Sequence, residues 1–285
     1  MPTQLPDNLM IGAILEREDP RDALVISPRL PKDTTLATLP PDSTIGTSSI
    51  RRAAQLRRLY PSLKFADLRG NLGTRLGKLD AEDSPFAAII LAAAGLKRIG
   101  WGDRIAQYLS SGNGGMLYAV GQGALAIEIR KDDEEMKEML SKIRCERTTR
   151  ACSAERALLR TLEGGCSVPI GIETSWRGGT GVATGAQPAK DYDKDGQAIE
   201  VEGDMDEQEM FLKAIVVSVD GKQSVEYEVA RKVKSVEEAE TFGRDVAKVL
   251  LEKGAAPILD KISKEKQWDA KKKLEEDAKK KLEEV

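Results

Sequence analysis

Between residues 43 and 100 the sequence alternates short apolar runs with helical patterns, and this alternation limits the possible folds more than any other feature. "STIGT" reads as a strand and "SIRRAAQLRRLY" as a helix with Ser49 at its N-cap. "LKFADL" reads as the next strand, "LGTRLGKL" as a short helix, and "FAAIILAAAGL" as a buried strand running on into another helix. Strands separated by helices are joined by crossovers, which predicts a parallel sheet covered by helices on both faces. "MLYAV" and "ALAIEIR" predict further strands around the turn Gly121-Gln122-Gly123.

Beyond that turn the pattern changes. Asp132 to Leu162 is helical, two helices broken near Cys145 to Thr149. "GIETSW", "AIVVSV" and "SVEYEVARKV" predict antiparallel strands, interrupted by a Gly- and Asp-rich polar insertion around 178–206. A helix from about Val236 to Lys253 should end at Gly254 in a left-handed cap. From Lys264 onward, "AKKKLEEDAKKKLEEV" nearly repeats every eight residues and reads as a charged, solvated tail. This second unit is α+β with an antiparallel sheet, smaller than the α/β unit.

Composition removes several classes of function. The longest apolar run, Phe86 to Leu96, is well short of the roughly 20 residues of a membrane helix. "MPTQLPDNLM" lacks the basic and apolar regions of a signal peptide, so a cytoplasmic location is expected. The three cysteines, Cys145, Cys152 and Cys166, are odd in number and form no CxxC, and the sequence has no histidine. That argues against a disulfide framework and against a zinc site, so no metal is expected. It also excludes Ser-His-Asp and Cys-His catalysis within these residues. With net charge −3 and pI near 5.5 there is no overall nucleic-acid footprint, so any anion site must be local.

Two local features point to such a site. In "LEGGCSVPIG" a helix runs into Gly164-Gly165, and Cys166 follows on a turn that Pro169 stiffens. The two glycines clear side-chain bulk from the approach to the thiol; a cysteine that only packs, a common role for a free thiol, needs no such clearance, whereas one holding a bulky group would. Cys145 and Cys152 lie in helical pattern and read as packing residues. The second feature is cationic. "GTSSIRR" puts Arg51 and Arg52 in the first turn of a helix, where the partial positive charge of the helix end disfavours cations by about 0.3–1 kcal/mol each. A compensating anion is therefore expected, with Thr47, Ser48, Ser49 and backbone N–H groups completing its site. "DLRGN" adds Arg69 beside Gly70, Arg75 follows, and "GLKR" brings Lys97 and Arg98. Loops at the carboxyl ends of strands converge on one edge of an open α/β sheet. Arginine there suits carboxylates or phosphates; with no Gly-rich phosphate loop, several carboxylates are the better match. Arg57 and Arg58 read as solvated surface residues.

Taken in order, "EREDPRDAL", "GTSSIRRAAQL", "DLRGNLGTRLGKLD", "AIILAAAGLKR", "VGQGALAIE" and "AERALLRTLEGGCSVPIG" closely resemble the porphobilinogen deaminase (hydroxymethylbilane synthase) family, from about residue 1 to 262. The resemblance implies a transferase of haem biosynthesis. It would join four porphobilinogen units head to tail, releasing ammonia each time, to give the linear tetrapyrrole 1-hydroxymethylbilane. It implies a dipyrromethane cofactor held through a thioether by Cys166. Arg51, Arg52, Arg69, Arg75 and Arg98 would bind the acetate and propionate groups of cofactor and substrate. Thr47, Ser48, Ser49 and Gly70 would add hydrogen bonds, and Gln122 would lie at the hinge between domains.

The resemblance also implies a fold of periplasmic-binding-protein type. Residues 1–22 would be the remnant of a first domain and 23–121 an α/β second domain. Residues 122–150 would return to the first domain, 151–262 would form the cofactor-carrying α+β domain, and 263–285 a charged helical tail. In the family the first domain ends in a His-Ser-x-Lys-Asp-x-Pro motif, whose aspartate stabilises a cationic azafulvene intermediate. Met1-Pro2 falls on its last two positions, so the chain as given is expected to lack most of that domain and to be inactive alone. A monomer that binds neither nucleic acid nor membrane is expected. The competing reading is a non-catalytic α/β module for a multi-carboxylate ligand, which would have no use for Cys166.

Overall fold

The computed structural model describes residues 2, 4–162, 168–177, 189–201, 206–265 and 268. The first unit holds β1 (Leu9–Ile14), β2 (Asp22–Ile26), β3 (Thr44–Gly46), α1 (Ile50–Leu59), β4 (Lys64–Ala66), α2 (Leu72–Asp80), β5 (Ala88–Ala92), α3 (Ala93–Arg98) and β6 (Gln107–Leu109). Then come β7 (Ala126–Arg130), α4 (Glu134–Ser141) and α5 (Glu146–Thr161). The last part contains β8 (Ile170–Arg177), β9 (Ala189–Tyr192), β10 (Ala198–Val201), β11 (Glu209–Val217), β12 (Ser224–Lys232) and α6 (Val236–Leu250).

Five strands form one sheet in the order β4-β3-β5-β2-β6. Side chains alternate across it with the period of two that a strand imposes. Ala23, Val25, Ile89 and Leu91 face Leu76, Leu79 and Leu96 of α2 and α3. Leu24, Ala88 and Ile90 face Leu56 of α1 and Leu36, Leu39 and Met116. Helices thus cover both faces, as expected, but the sheet is mixed rather than parallel. β3 pairs parallel with β4 and β5, whereas β2 is antiparallel to β5 and β6. Only β3, β4 and β5 are linked by crossover helices, and a strand entering through a loop is free to run either way.

"MLYAV" is not a strand. Met116 to Tyr118 are buried, but beyond one bridge from Tyr118 to Ile172 they join no ladder. The Gln55 side chain occupies the Leu117 backbone instead, accepting from its N–H at 2.8 Å and donating to its carbonyl at 3.0 Å. The helices α4 and α5 break at 142–145, slightly earlier than predicted, because the Cys145 backbone is extended and donates to the Ile14 carbonyl.

In the second unit β8, β11 and β12 form the antiparallel sheet, and α5 and α6 pack on it around Tyr118, Leu158, Ile172, Leu212, Phe242 and Val246. Gly254 takes the expected left-handed conformation at φ 106°. Residues 189–201 of the insertion form the hairpin β9–β10; most of the charged tail lies outside the described residues. A separate two-stranded ribbon, β1 with β7, is backed by α4 through Ala13, Ile129 and Leu140. Among the described residues no helix is long and apolar enough to cross a membrane.

Candidate functional site

At the N-terminus of α1 the Ser49 cap is as the sequence suggested, while the Thr47 and Ser48 hydroxyls bond to the chain's own backbone. The Ser49 hydroxyl caps the helix, accepting from the Arg52 N–H; the Thr47 hydroxyl accepts from the Ser49 N–H, and the Ser48 hydroxyl donates to the Leu68 carbonyl. The anion expected for Arg51 and Arg52 is present within the chain. It is Asp22, the first residue of β2, an interior strand of the sheet beside the edge strand β6. Arg51 Nη1 lies 2.7 Å from Asp22 Oδ2, and Arg52 Nε and Nη2 lie 2.9 and 2.7 Å from Oδ1. Arg51 also donates to the Leu117 carbonyl at 2.6 Å, and Arg52 to the Ile90 carbonyl at 2.8 Å. The three side chains are 7, 11 and 1% exposed for Arg51, Arg52 and Asp22. The first-turn arginines are therefore buried and anchored, where an open cationic rim was expected: their helix face packs on β2 and the 117–122 segment.

The charges in this cluster do not cancel. Burial alone would raise the Asp22 pKa, but Arg51 and Arg52 hold it below the ordinary carboxylate value. Burial lowers the Arg52 pKa, Asp22 opposes that, and the like charges of Arg51 and Arg75 push it further down. Two guanidiniums thus share one carboxylate, and the positive charge of Arg75 reaches Arg52 from outside the cluster. That excess of positive charge fits a polycarboxylate such as dipyrromethane.

Gln122 joins this cluster to the second unit. Its amide donates to Asp22 Oδ1 at 3.1 Å and to the Pro20 carbonyl at 2.6 Å, while its Oε1 accepts from Arg51 at 3.4 Å. Its backbone carbonyl accepts from Arg17 Nε at 2.9 Å. Arg17 then forms a two-pronged pair with Glu155 of α5, Nη1 to Oε1 at 2.6 Å and Nη2 to Oε2 at 3.1 Å, and its guanidinium lies over the Tyr118 ring. Glu155, fully buried, also accepts from the Gly121 N–H and the Thr174 hydroxyl. Burial would lower the Arg17 pKa, but Glu155 keeps it well above the ordinary guanidinium value. Sequence reasoning singled out neither Arg17 nor Asp22. The signal for Asp22 was the uncompensated arginine pair, but the partner lies 29 residues from Arg51 along the chain.

The remaining cations diverge. Arg69 is exposed and pairs with Asp67; Arg75 donates to the carbonyl of Gly70, which adopts φ 124°. Arg98 is exposed in the last turn of α3. Lys97 points the other way, to the Gly196 carbonyl of the β9–β10 hairpin, between the rings of Tyr108 and Tyr192. The Tyr192 hydroxyl in turn donates to the Arg17 carbonyl at 3.3 Å, so the insertion touches the first unit at two places. Arg57 and Arg58 are not free surface residues: they donate to the Val219 carbonyl and the Ser224 hydroxyl, fixing the β11–β12 turn on α1.

Cys166 lies in 163–167, outside the described residues. Its flanks are fixed: Leu162 and Val168 are buried in the second core. Five residues on, Gly171 passes directly under α1, where a Cβ would meet the Gln55 amide at 2.6 Å. The start of β8 thus runs close against the helix carrying Arg51 and Arg52. Cys145 and Cys152 are buried, as their helical pattern implied. Burial pushes the Cys152 thiol up to about 12, so its thiolate is suppressed.

Comparison with known proteins gives a consistent set of relatives. The family model "Porphobilinogen deaminase, dipyromethane cofactor binding domain" matches residues 1–138, and the C-terminal domain model of the same family matches 149–182. The porphobilinogen deaminase of Yarrowia lipolytica is 49% identical over 262 residues, covering 92% of this chain and 68% of that protein. The Neurospora crassa enzyme is 48% identical over 265 residues, covering 91% and 70%. The Saccharomyces cerevisiae enzyme is 43% identical over 264 residues, covering 92% and 72%.

Proposed function

The chain belongs to the porphobilinogen deaminase family, and from that premise we propose which of its residues serve the reaction. The protein is a transferase of porphyrin and haem biosynthesis, a hydroxymethylbilane synthase that condenses four porphobilinogen molecules head to tail with release of ammonia. Its cofactor is dipyrromethane. When bound, that group supplies the primer onto which pyrrole units are added.

In our reading Cys166 carries the cofactor, and Arg51, Arg52, Arg69, Gly70, Ser48 and Ser49 bind it. Arg75, Arg98, Thr47 and Gln122 serve the substrate. The observation that carries this reading is the pair of buried guanidiniums, Arg51 and Arg52, around the single carboxylate Asp22. Each pyrrole brings an acetate and a propionate, and each charge-assisted hydrogen bond to a carboxylate is worth about 1.5–3 kcal/mol. Arg51 and Arg52 are held by protein carbonyls, so little side-chain entropy remains to be lost on binding. The close approach of Gly171 to Gln55 supports bringing Cys166 to the same edge. We further propose the domain limits 1–22, 23–121, 122–150, 151–262 and 263–285, in an arrangement of periplasmic-binding-protein type, and a cytoplasmic monomer that engages neither nucleic acid nor membrane.

The test is covalent. Intact mass spectrometry and the colour reaction of dipyrromethane with an acidic aldehyde reagent should show cofactor on the Cys145→Ser and Cys152→Ser proteins and none on Cys166→Ser. Cofactor retained by Cys166→Ser would overturn the assignment.

A further inference from the structure

Asp22 has a position that a surface ion pair does not. It lies at the start of an interior strand, with backbone neighbours Ala92 on β5 and Leu109 on β6, so its Cα is fixed by pairing on both sides. Its carboxylate is 1% exposed and cannot itself meet a ligand arriving from solvent. Each of its oxygens takes a different guanidinium, Oδ2 that of Arg51 and Oδ1 that of Arg52, and Oδ1 also accepts from the Gln122 amide. Opposite Asp22, the Leu117 and Ile90 carbonyls hold the same two guanidiniums. Arginine heads clamped between a carboxylate and backbone carbonyls have one orientation, and the remaining N–H donors point in directions set by the protein.

We infer that Asp22 is a positioning residue for the reaction: it is the fixed counter-anion that aims Arg51 and Arg52 at the carboxylates of the cofactor they bind and, beyond that role, of the pyrrole that joins it. This rests on the reading that these two arginines bind carboxylates. Asp22 acts through them in two ways. It neutralises one of the two buried positive charges, so the pair can stay charged away from water. It leaves the second charge uncompensated, and a ligand carboxylate is the group that completes the balance. A substitution that keeps the shape but removes the charge turns an N–H₂ towards at least one guanidinium, setting donor against donor. Lengthening the side chain keeps the charge but moves the guanidiniums off their carbonyl acceptors.

The experiment is titration calorimetry of porphobilinogen into the wild-type protein and into Asp22→Asn, Asp22→Glu and Arg52→Gln. Each protein is also followed by urea unfolding and by intact mass for cofactor loading. Both Asp22 variants should weaken porphobilinogen binding tenfold or more at urea concentrations where unfolding shows them folded, and should load cofactor at least tenfold more slowly. Asp22→Glu decides the matter if Asp22→Asn does not fold, since its charge is intact. An Asp22→Glu protein that binds within twofold of wild type would overturn the positioning role, as would an Asp22→Asn protein that loses stability alone. If Arg52→Gln weakens binding while the Asp22 variants do not, the carboxylate reading stands and only this inference falls. If Arg52→Gln both binds porphobilinogen and loads cofactor like wild type, or wild type does neither, the carboxylate reading falls and this inference with it.

Discussion

At the scale of single residues, electrostatics decides the site. Two guanidiniums in the first turn of α1 face a helix end that already carries positive charge, and burial adds a desolvation cost. Asp22 offsets both, and its contribution should carry a pH signature. Its folded-state pKa lies below the ordinary value of about 4. The stability it supplies is therefore fully present above the unfolded value and lost as pH falls through the folded one. Breaking a buried pair from one side costs about 3–5 kcal/mol. In urea unfolding, wild type should exceed Asp22→Asn by about that amount from pH 7 down to about pH 4, and the gap should narrow steadily below. A gap that stays constant as pH falls below about 4, or one that closes by pH 6, would show that Asp22 is not the group responsible. The need for an anion was legible in "SSIRR", because local charge is a property of adjacent residues. Its identity was not, because β2 meets α1 only in the folded chain.

At the scale of elements, helices were more legible than strands. Ser49, Asn71 and Ser235 cap α1, α2 and α6 through their side chains, as their residue types predict. β2 and β6, of five and three residues, are too short for a period-two pattern to mark them, and "MLYAV" misled because its apolar residues are buried without pairing. Packing between helices is equally hidden. Gly243 in the middle of α6 lies so close to α5 that a Cβ there would overlap the Ala154 carbonyl. By helix propensity alone Gly243→Ala should stabilise by about 1 kcal/mol. The overlap falls on backbone, which has no rotamer to escape into, and overpacking costs about 1–3 kcal/mol or more. A net loss of about 2 kcal/mol is expected in thermal or urea unfolding. An unchanged or raised midpoint would mean that α5 and α6 are less closely apposed than the structure shows.

At the scale of the whole molecule, several contacts among the described residues join the two units. Arg17 and Glu155 pair beside Gln122, α1 packs on β11 through Ala54, Leu117, Ile215 and Val217, and the β9–β10 hairpin reaches Lys97. These contacts position groups that bind.

What the sequence determined by itself is what neighbours along the chain decide: the caps, the crossover rhythm of β3 to β5, the poverty of His and Cys chemistry, and the motifs that name the family. Those signals are local, since capping, propensity and turn chemistry act over a few residues. The tertiary structure alone decided that β2 runs antiparallel, that Leu117 gives its backbone to Gln55, and that Asp22 faces Arg51 and Arg52. Each of these depends on which surfaces meet when separate apolar faces are buried together. That choice is made by packing and desolvation over the whole chain, and no short stretch of sequence contains both partners.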